Sequence, residues 1–119
     1  METDSLTTVN ELKEKVKKFI HERNWEKYHH PKDIAESICI EAAELLELFQ
    51  WRSQQEIEGL MKKKRFKERM TEELADILIY VLSMANATET DISESVIKKL
   101  EKNMKKYPIE KYYSRAHID

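Results

Sequence analysis

The sequence predicts an all-α chain, and three observations carry that expectation. Its 119 residues include one glycine and two prolines, far too few turn formers for a fold of many short strands. Apolar residues recur three and four positions apart along four long stretches, the period of a helix with one buried face. Capping residues stand where two of those stretches begin, and a proline where a third does.

The first helix is expected to start at Thr8, where Thr8 and Glu11 have capping-box spacing. Val9, Leu12, Val16, Phe19 and Ile20 form its apolar stripe. Residues 24–32, NWEKYHHPK, break the period, and Pro31 suits the first turn of a second helix running to about Trp51. A polar connection with Gln54, Gln55, Gly59 and the basic run 62–65 follows, with one helical turn expected around Ile57, Leu60 and Met61. The third helix covers about 66–87 and is the most apolar. A fourth opens near Asp91, with Glu94 three residues on, and stops at Tyr107-Pro108. A polar tail, 109–119, completes the chain. Four amphipathic helices with short connections predict a helical bundle as one domain, 1–119, with its core in about 8–108.

Composition narrows the function. There are 21 Lys and Arg against 23 Asp and Glu, a net charge of -2, so no long basic footprint for a nucleic acid polymer is expected. No run approaches the ~18 apolar residues of a membrane span, and no membrane association is expected. One cysteine, Cys39, cannot form an internal disulfide, which points to a reducing cytoplasm. Gly-rich phosphate loops are excluded, so a bound phosphate must be held by a metal or by side chains.

The informative residues are those that break the apolar pattern. Ile34, Ile38, Leu45 and Leu48 form a seam whose missing member is Glu41, with Glu44 three residues on. Glu73 and Asp76 repeat that spacing inside the apolar run of Leu74, Ile77, Leu78, Ile79, Val81 and Leu82. Asn103 interrupts the seam of Val96, Leu100 and Tyr107. Four inward carboxylates coexist only if protonated, paired with bases or neutralised by cations. Pairing with surface lysines from the helix flanks is the plainest explanation for any one E-x-x-E. A di-iron bundle needs two Glu-x-x-His pairs; Glu26 and His29 give one, outside a predicted helix. The all-oxygen donor set fits a hard cation best, Mg²⁺ with Mn²⁺ as a substitute, bound together with substrate phosphates.

The strings RNWEKYHHP, IEAAELLELFQW, EELADILIYVL and KKLEKNMKKYP resemble the MazG-like all-α nucleoside triphosphate pyrophosphohydrolases, most closely their dCTP pyrophosphatase branch. The likeness spans about 19–108. It implies a four-helix core assembling as a homodimer or homotetramer, and Mg²⁺-dependent cleavage between the α- and β-phosphates to a nucleoside monophosphate and pyrophosphate. Val16 stands where that branch can carry a base-reading histidine.

The residues support the same chemistry on their own terms. A triphosphate approaches an acidic site only through bridging metals, with Glu41, Glu44, Glu73 and Asp76 as ligands. Glu44, rotated from the seam toward the cleft, is the candidate general base. Lys99 and Lys106 would face the phosphates, and Asn103 the sugar or a phosphate. Trp51 and Trp25 are candidates to stack on a base, joined by His29 and by Tyr80, one turn past Asp76. His21, His30 and His117 have no partner spacing and are expected at the surface; Cys39 is expected in the core or an interface. The enzyme expected is one that clears unwanted pyrimidine deoxynucleotides, dCTP or a modified relative, from the nucleotide pool. The competing expectation is a non-catalytic helical interaction module whose acidic residues pair across an interface.

Overall fold

The computed structural model describes residues 1–116, so His117 lies outside the described residues. Among these residues every regular element is helical. Helix α1 (Val9–Glu22) starts where the Glu11 amide donates to Thr8 Oγ1 at 3.1 Å. Asn24, at φ 54, turns the chain into a short 3-10 turn, Glu26–Tyr28. Helix α2 (Pro31–Glu47) has Pro31 in its first turn, where a missing amide costs nothing. It ends four residues short of the expected Trp51. The amides of Leu48 and Phe49 close tighter bonds onto Leu45 and Leu46, and Trp51 at φ 67 redirects the chain.

The connection that follows is more ordered than its composition suggests. Instead of one turn it forms α3 (Gln54–Met61), started by a reciprocal capping box. Ser53 Oγ accepts from the Glu56 amide at 3.1 Å, and the Ser53 amide donates to Glu56 Oε1 at 3.4 Å. The long helix α4 (Lys64–Ala87) comes next. Helix α5 (Ile92–Lys106) is capped by Asp91 Oδ1, which accepts from the Glu94 amide at 2.9 Å. Pro108 then opens a single turn, α6 (Ile109–Tyr112), within the stretch expected to be a plain polar tail.

The chain divides into two compact units, residues 1–89 and a second beginning at Thr90. In the first, α1, α2 and α3 each pack on α4. The core is Val16 and Ile20 of α1, Ile34 of α2, Leu48 just beyond it, and Phe66, Leu82 and Ala85 of α4. The Asn86 side-chain amide donates to the Lys13 carbonyl at 3.0 Å and ties the end of α4 to α1. Phe49 meets Phe66 edge to face, with centroids 5.8 Å apart. Many apolar side chains stay outside this core: Ile40 on α2, Leu74, Leu78 and Ile79 on α4, and, in the second unit, Val96, Ile97, Leu100 and Met104 on α5. Cys39 is exposed and takes no part in the core. No helix among the described residues is long and apolar enough to cross a membrane.

Candidate metal centre and adjoining cavities

Packing α2 on α4 sets two i, i+3 acidic pairs against each other. One carboxylate oxygen each from Glu41, Glu73 and Asp76 lie within 4.8 Å of one another. Glu41 Oε2 and Glu73 Oε2 are buried and accept no hydrogen bond. Such orphaned acceptors are costly, and among the described residues no basic group pairs with them. The charged groups acting on Glu41 are Glu44, Asp76 and Glu73, all carboxylates, so pairing with flanking lysines does not describe this cluster. Desolvation, then the hydrogen bond and charge of Glu44, then Asp76 and Glu73, push Glu41 up to about 7. Glu73 is raised as well, by desolvation first and then by Glu44 and Asp76. Glu44 is exposed, and its carboxyl raises both Glu41 and Glu73. Converging oxygens, two of them unsatisfied and none paired with a base, fit a hard divalent cation held by Glu41, Glu73 and Asp76 with Glu44 beside them.

Along α4, one turn beyond Asp76, Tyr80 borders a cavity of about 480 Å³ that also has Val16, Phe19, Ile20, Trp25 and His29 in its wall. His29 lies nearly parallel to the Tyr80 ring, 18° between planes and 6.4 Å between centroids. Its Nδ1 is 2.8 Å from the Trp25 carbonyl oxygen. Trp25 meets Phe19 edge to face at 5.8 Å. A second cavity, of about 590 Å³, shares Ile20, His29 and Ser83 with the first and has Lys17, His21 and Asn86 in its outer wall. His21 was expected to lack a partner, but its Nδ1 is 2.7 Å from Glu26 Oε2. That spacing of five residues is not a helical one; it closes because the chain leaves α1 at Glu22 and tightens into the 3-10 turn. Glu26 is thereby spoken for, and it is held below the usual carboxylate range by His21.

Three of the four acidic residues, Glu41, Glu73 and Asp76, thus meet in one cluster that Glu44 influences from beside it, and Trp25, His29 and Tyr80 meet in the wall of one cavity. Trp51 lines neither cavity and is 92% exposed. Lys99, Asn103 and Lys106 belong to α5 in the second unit, where Asn103 is half-buried and accepts from the Tyr107 amide through its carbonyl at 2.8 Å. Lys106 Nζ lies 5.4 Å from the Tyr107 ring. Phe19 and Ser83 went unremarked as candidate site residues. The helical period contained the signal for Ser83, which follows Tyr80 by three and Asp76 by seven.

Converging carboxylates on a helical scaffold, with an aromatic-walled cavity one turn further along α4, make a donor set that suits a divalent cation. Comparison with known proteins makes this specific. The MazG-like family model matches residues 36–117, and the chain belongs to that family. It is similar to dCTP pyrophosphatase 1 of Rattus norvegicus, with 32% identity over 102 residues, 86% of this chain and 60% of that protein. The Homo sapiens dCTP pyrophosphatase 1 is 32% identical over 101 residues, 85% of this chain and 59% of that one. The chain therefore spans about 60% of the length of these curated relatives. A crystal structure of a pyrophosphatase from Archaeoglobus fulgidus is 41% identical, with a TM-score of 0.79 covering 91% of this chain and 99% of that one.

Proposed function

We propose that this chain is a nucleoside triphosphate pyrophosphohydrolase that uses Mg²⁺, with Mn²⁺ as a substitute, to cut a pyrimidine deoxynucleoside triphosphate between its α- and β-phosphates. dCTP or a modified relative is the substrate, and the monophosphate and pyrophosphate are the products. The observation that carries this reading is the cluster of Glu41, Glu73 and Asp76, whose oxygens converge without a basic partner among the described residues, in a chain similar to dCTP pyrophosphatases. Glu41, Glu44, Glu73 and Asp76 hold the metal. When bound, it supplies positive charge against the triphosphate and acidifies a water. Glu44, exposed at the edge of the cluster, accepts the proton of the attacking water. Lys99 and Lys106 bind phosphate oxygens, Asn103 the sugar or a phosphate, and Trp25, His29, Tyr80 and Trp51 the base.

The working form is a four-helix core of a single domain, 1–119, assembled as a homodimer or homotetramer. The apolar side chains left exposed on α2, α4 and α5 support assembly. A cytoplasmic role in clearing unwanted nucleotides from the pool is in keeping with this chemistry and with the single cysteine. The test is a panel of canonical and modified triphosphates with pyrophosphate detection, with and without Mg²⁺. Stoichiometric metal binding and pyrophosphate release support the reading. A chain that binds no divalent metal and hydrolyses nothing favours the helical interaction module instead.

A further inference from the structure

Resting on the reading of the site just given, we infer that Arg23 is a positioning residue for the base: without touching the nucleotide, its guanidinium fixes the Phe19 ring, and through that ring the indole of Trp25. The placement begins with how α1 stops. With Asn24 at φ 54, the Asn24 amide donates to the His21 carbonyl and the Trp25 amide to the Ile20 carbonyl, both at 3.0 Å. These are the two bonds of a helix stop built on a left-handed residue, and they fold the following residue back over the last turn. That residue is Trp25, which meets Phe19 edge to face, with 76° between planes and 5.8 Å between centroids.

Burial alone holds neither ring, since Phe19 is 48% exposed and Trp25 41%. Arg23 adds the missing constraint. Its Nη1 donates to the Phe19 carbonyl at 3.0 Å, and its guanidinium carbon lies 3.8 Å from the centroid of the Phe19 ring. One planar group thus spans the backbone and the side chain of a single residue, so turning Phe19 about its Cα–Cβ bond breaks the ring contact. A cation is also favoured there, at the C-terminal end of α1, where the last carbonyls lack helical amide partners. Arg23 makes no ion pair among the described residues and belongs to neither cavity wall, whereas Phe19 and Trp25 both line the smaller cavity with His29 and Tyr80. Its influence on the site therefore passes through Phe19.

The test measures KM and kcat for dCTP with Mg²⁺ on the full chain, Arg23→Ala, Arg23→Lys, Phe19→Leu and the Arg23→Ala/Phe19→Leu double variant. Arg23→Ala should raise KM roughly 3- to 10-fold. Its kcat should not change, because the carboxylate cluster between α2 and α4 is untouched. Arg23→Lys keeps the charge without the planar fork, and its KM should fall between the two. In the Phe19→Leu background Arg23→Ala should add no further rise, since no ring is left to fix. An unchanged KM in Arg23→Ala, a fall in kcat alone, or the same rise in both backgrounds overturns the inference. A readout without catalysis runs beside these. The chain has two tryptophans and hence two indole N–H signals in a ¹H–¹⁵N spectrum, which a Trp51→Phe sample assigns. In the absence of nucleotide, Arg23→Ala should move the Trp25 signal and leave that of Trp51 in place. If Arg23→Ala does not fold, Arg23→Gln, which removes the charge and keeps a longer side chain, takes its place. If no triphosphate yields pyrophosphate, the hydrolase reading has failed. The indole signals then judge Arg23 by themselves, and a Trp25 signal at its wild-type position refutes the inference.

Discussion

Metal binding should release protons in slightly acid solution, and the carboxylate cluster sets where. Glu41 holds its proton up to about 7 against an ordinary value of 4.5, because desolvation and three neighbouring carboxylates oppose its charge. A cation must displace that proton, so apparent affinity should fall about tenfold for each pH unit below 7, per proton displaced. Glu73, also raised, steepens the dependence toward lower pH. Between pH 7 and 8 the affinity should level off as Glu41 ionises. Calorimetric titration of Mn²⁺ at pH 6 in two buffers of different ionisation enthalpy counts the protons directly, and about one proton per metal is expected from Glu41. Stability of the metal-free protein carries the opposite dependence. The folded state binds this proton more tightly than the unfolded chain does, so the melting temperature should drop as pH rises through about 4.5 to 7. Added Mn²⁺ should recover the loss at pH 7.5. An affinity flat from pH 6 to 8, with no buffer-dependent heat, would refute the argument that Glu41 is a desolvated ligand.

Replacing Glu41 or Glu73 with Gln, or Asp76 with Asn, should abolish turnover by removing a metal ligand, while metal-free melting at pH 8 stays level or rises because an unpaired negative charge is gone. Unfolding of all three variants would instead mean that the cluster is structural. Sedimentation equilibrium at micromolar concentration should give at least twice the 14.3 kDa chain mass, since Ile40, Leu74, Leu78 and Ile79 are left exposed within one chain; a stable monomer contradicts this. Trp51→Ala should raise KM about 5- to 150-fold if a stacking contact of ~1–3 kcal/mol is lost, with the metal requirement unchanged; unchanged KM for every nucleotide removes Trp51 from the site. Hydrolysis in ¹⁸O-water should label the monophosphate or the pyrophosphate, and orthophosphate as the primary product would contradict cleavage at the α–β linkage.

Helix starts were legible wherever a cap or proline announces them, as at Thr8, Pro31 and Asp91. The acidic pairs were legible because a carboxylate inside an apolar seam needs a reason. Helix ends and short elements were not. Leu48, Phe49 and Trp51 continue the apolar pattern of α2, and only the tighter amide bonds and the positive φ at Trp51 end it. Helix α3 contains Gly59 and a polar face, yet the Ser53–Glu56 box at its start holds it over two turns. The cavity wall is harder still to read. His29, Ile20 and Ser83 meet only after α1 has packed on α4 and the 3-10 turn has brought His29 back over Tyr80. No spacing within a single helix encodes that meeting.

One helix organises both halves of the site, and its period explains how. Glu73, Asp76, Tyr80 and Ser83 advance by three, four and three residues, so they stay on one side of α4 through about three turns. The first two meet α2 and its acidic pair; the last two meet α1 and the segment that carries His29. A substrate with a highly charged end and a flat, nearly neutral end matches that division of polarity. The arrangement costs stability, because burying like charges together opposes folding and the core beneath is small. The same opposition creates affinity for a cation, since a bound cation relieves the repulsion among the carboxylates. Removing a carboxylate from this cluster should therefore make the protein easier to fold and harder to use. A structural ion pair behaves in the opposite way, losing stability when one partner is removed. Measuring metal-free stability and turnover on the same Glu41→Gln sample separates the two physical cases without reference to any relative.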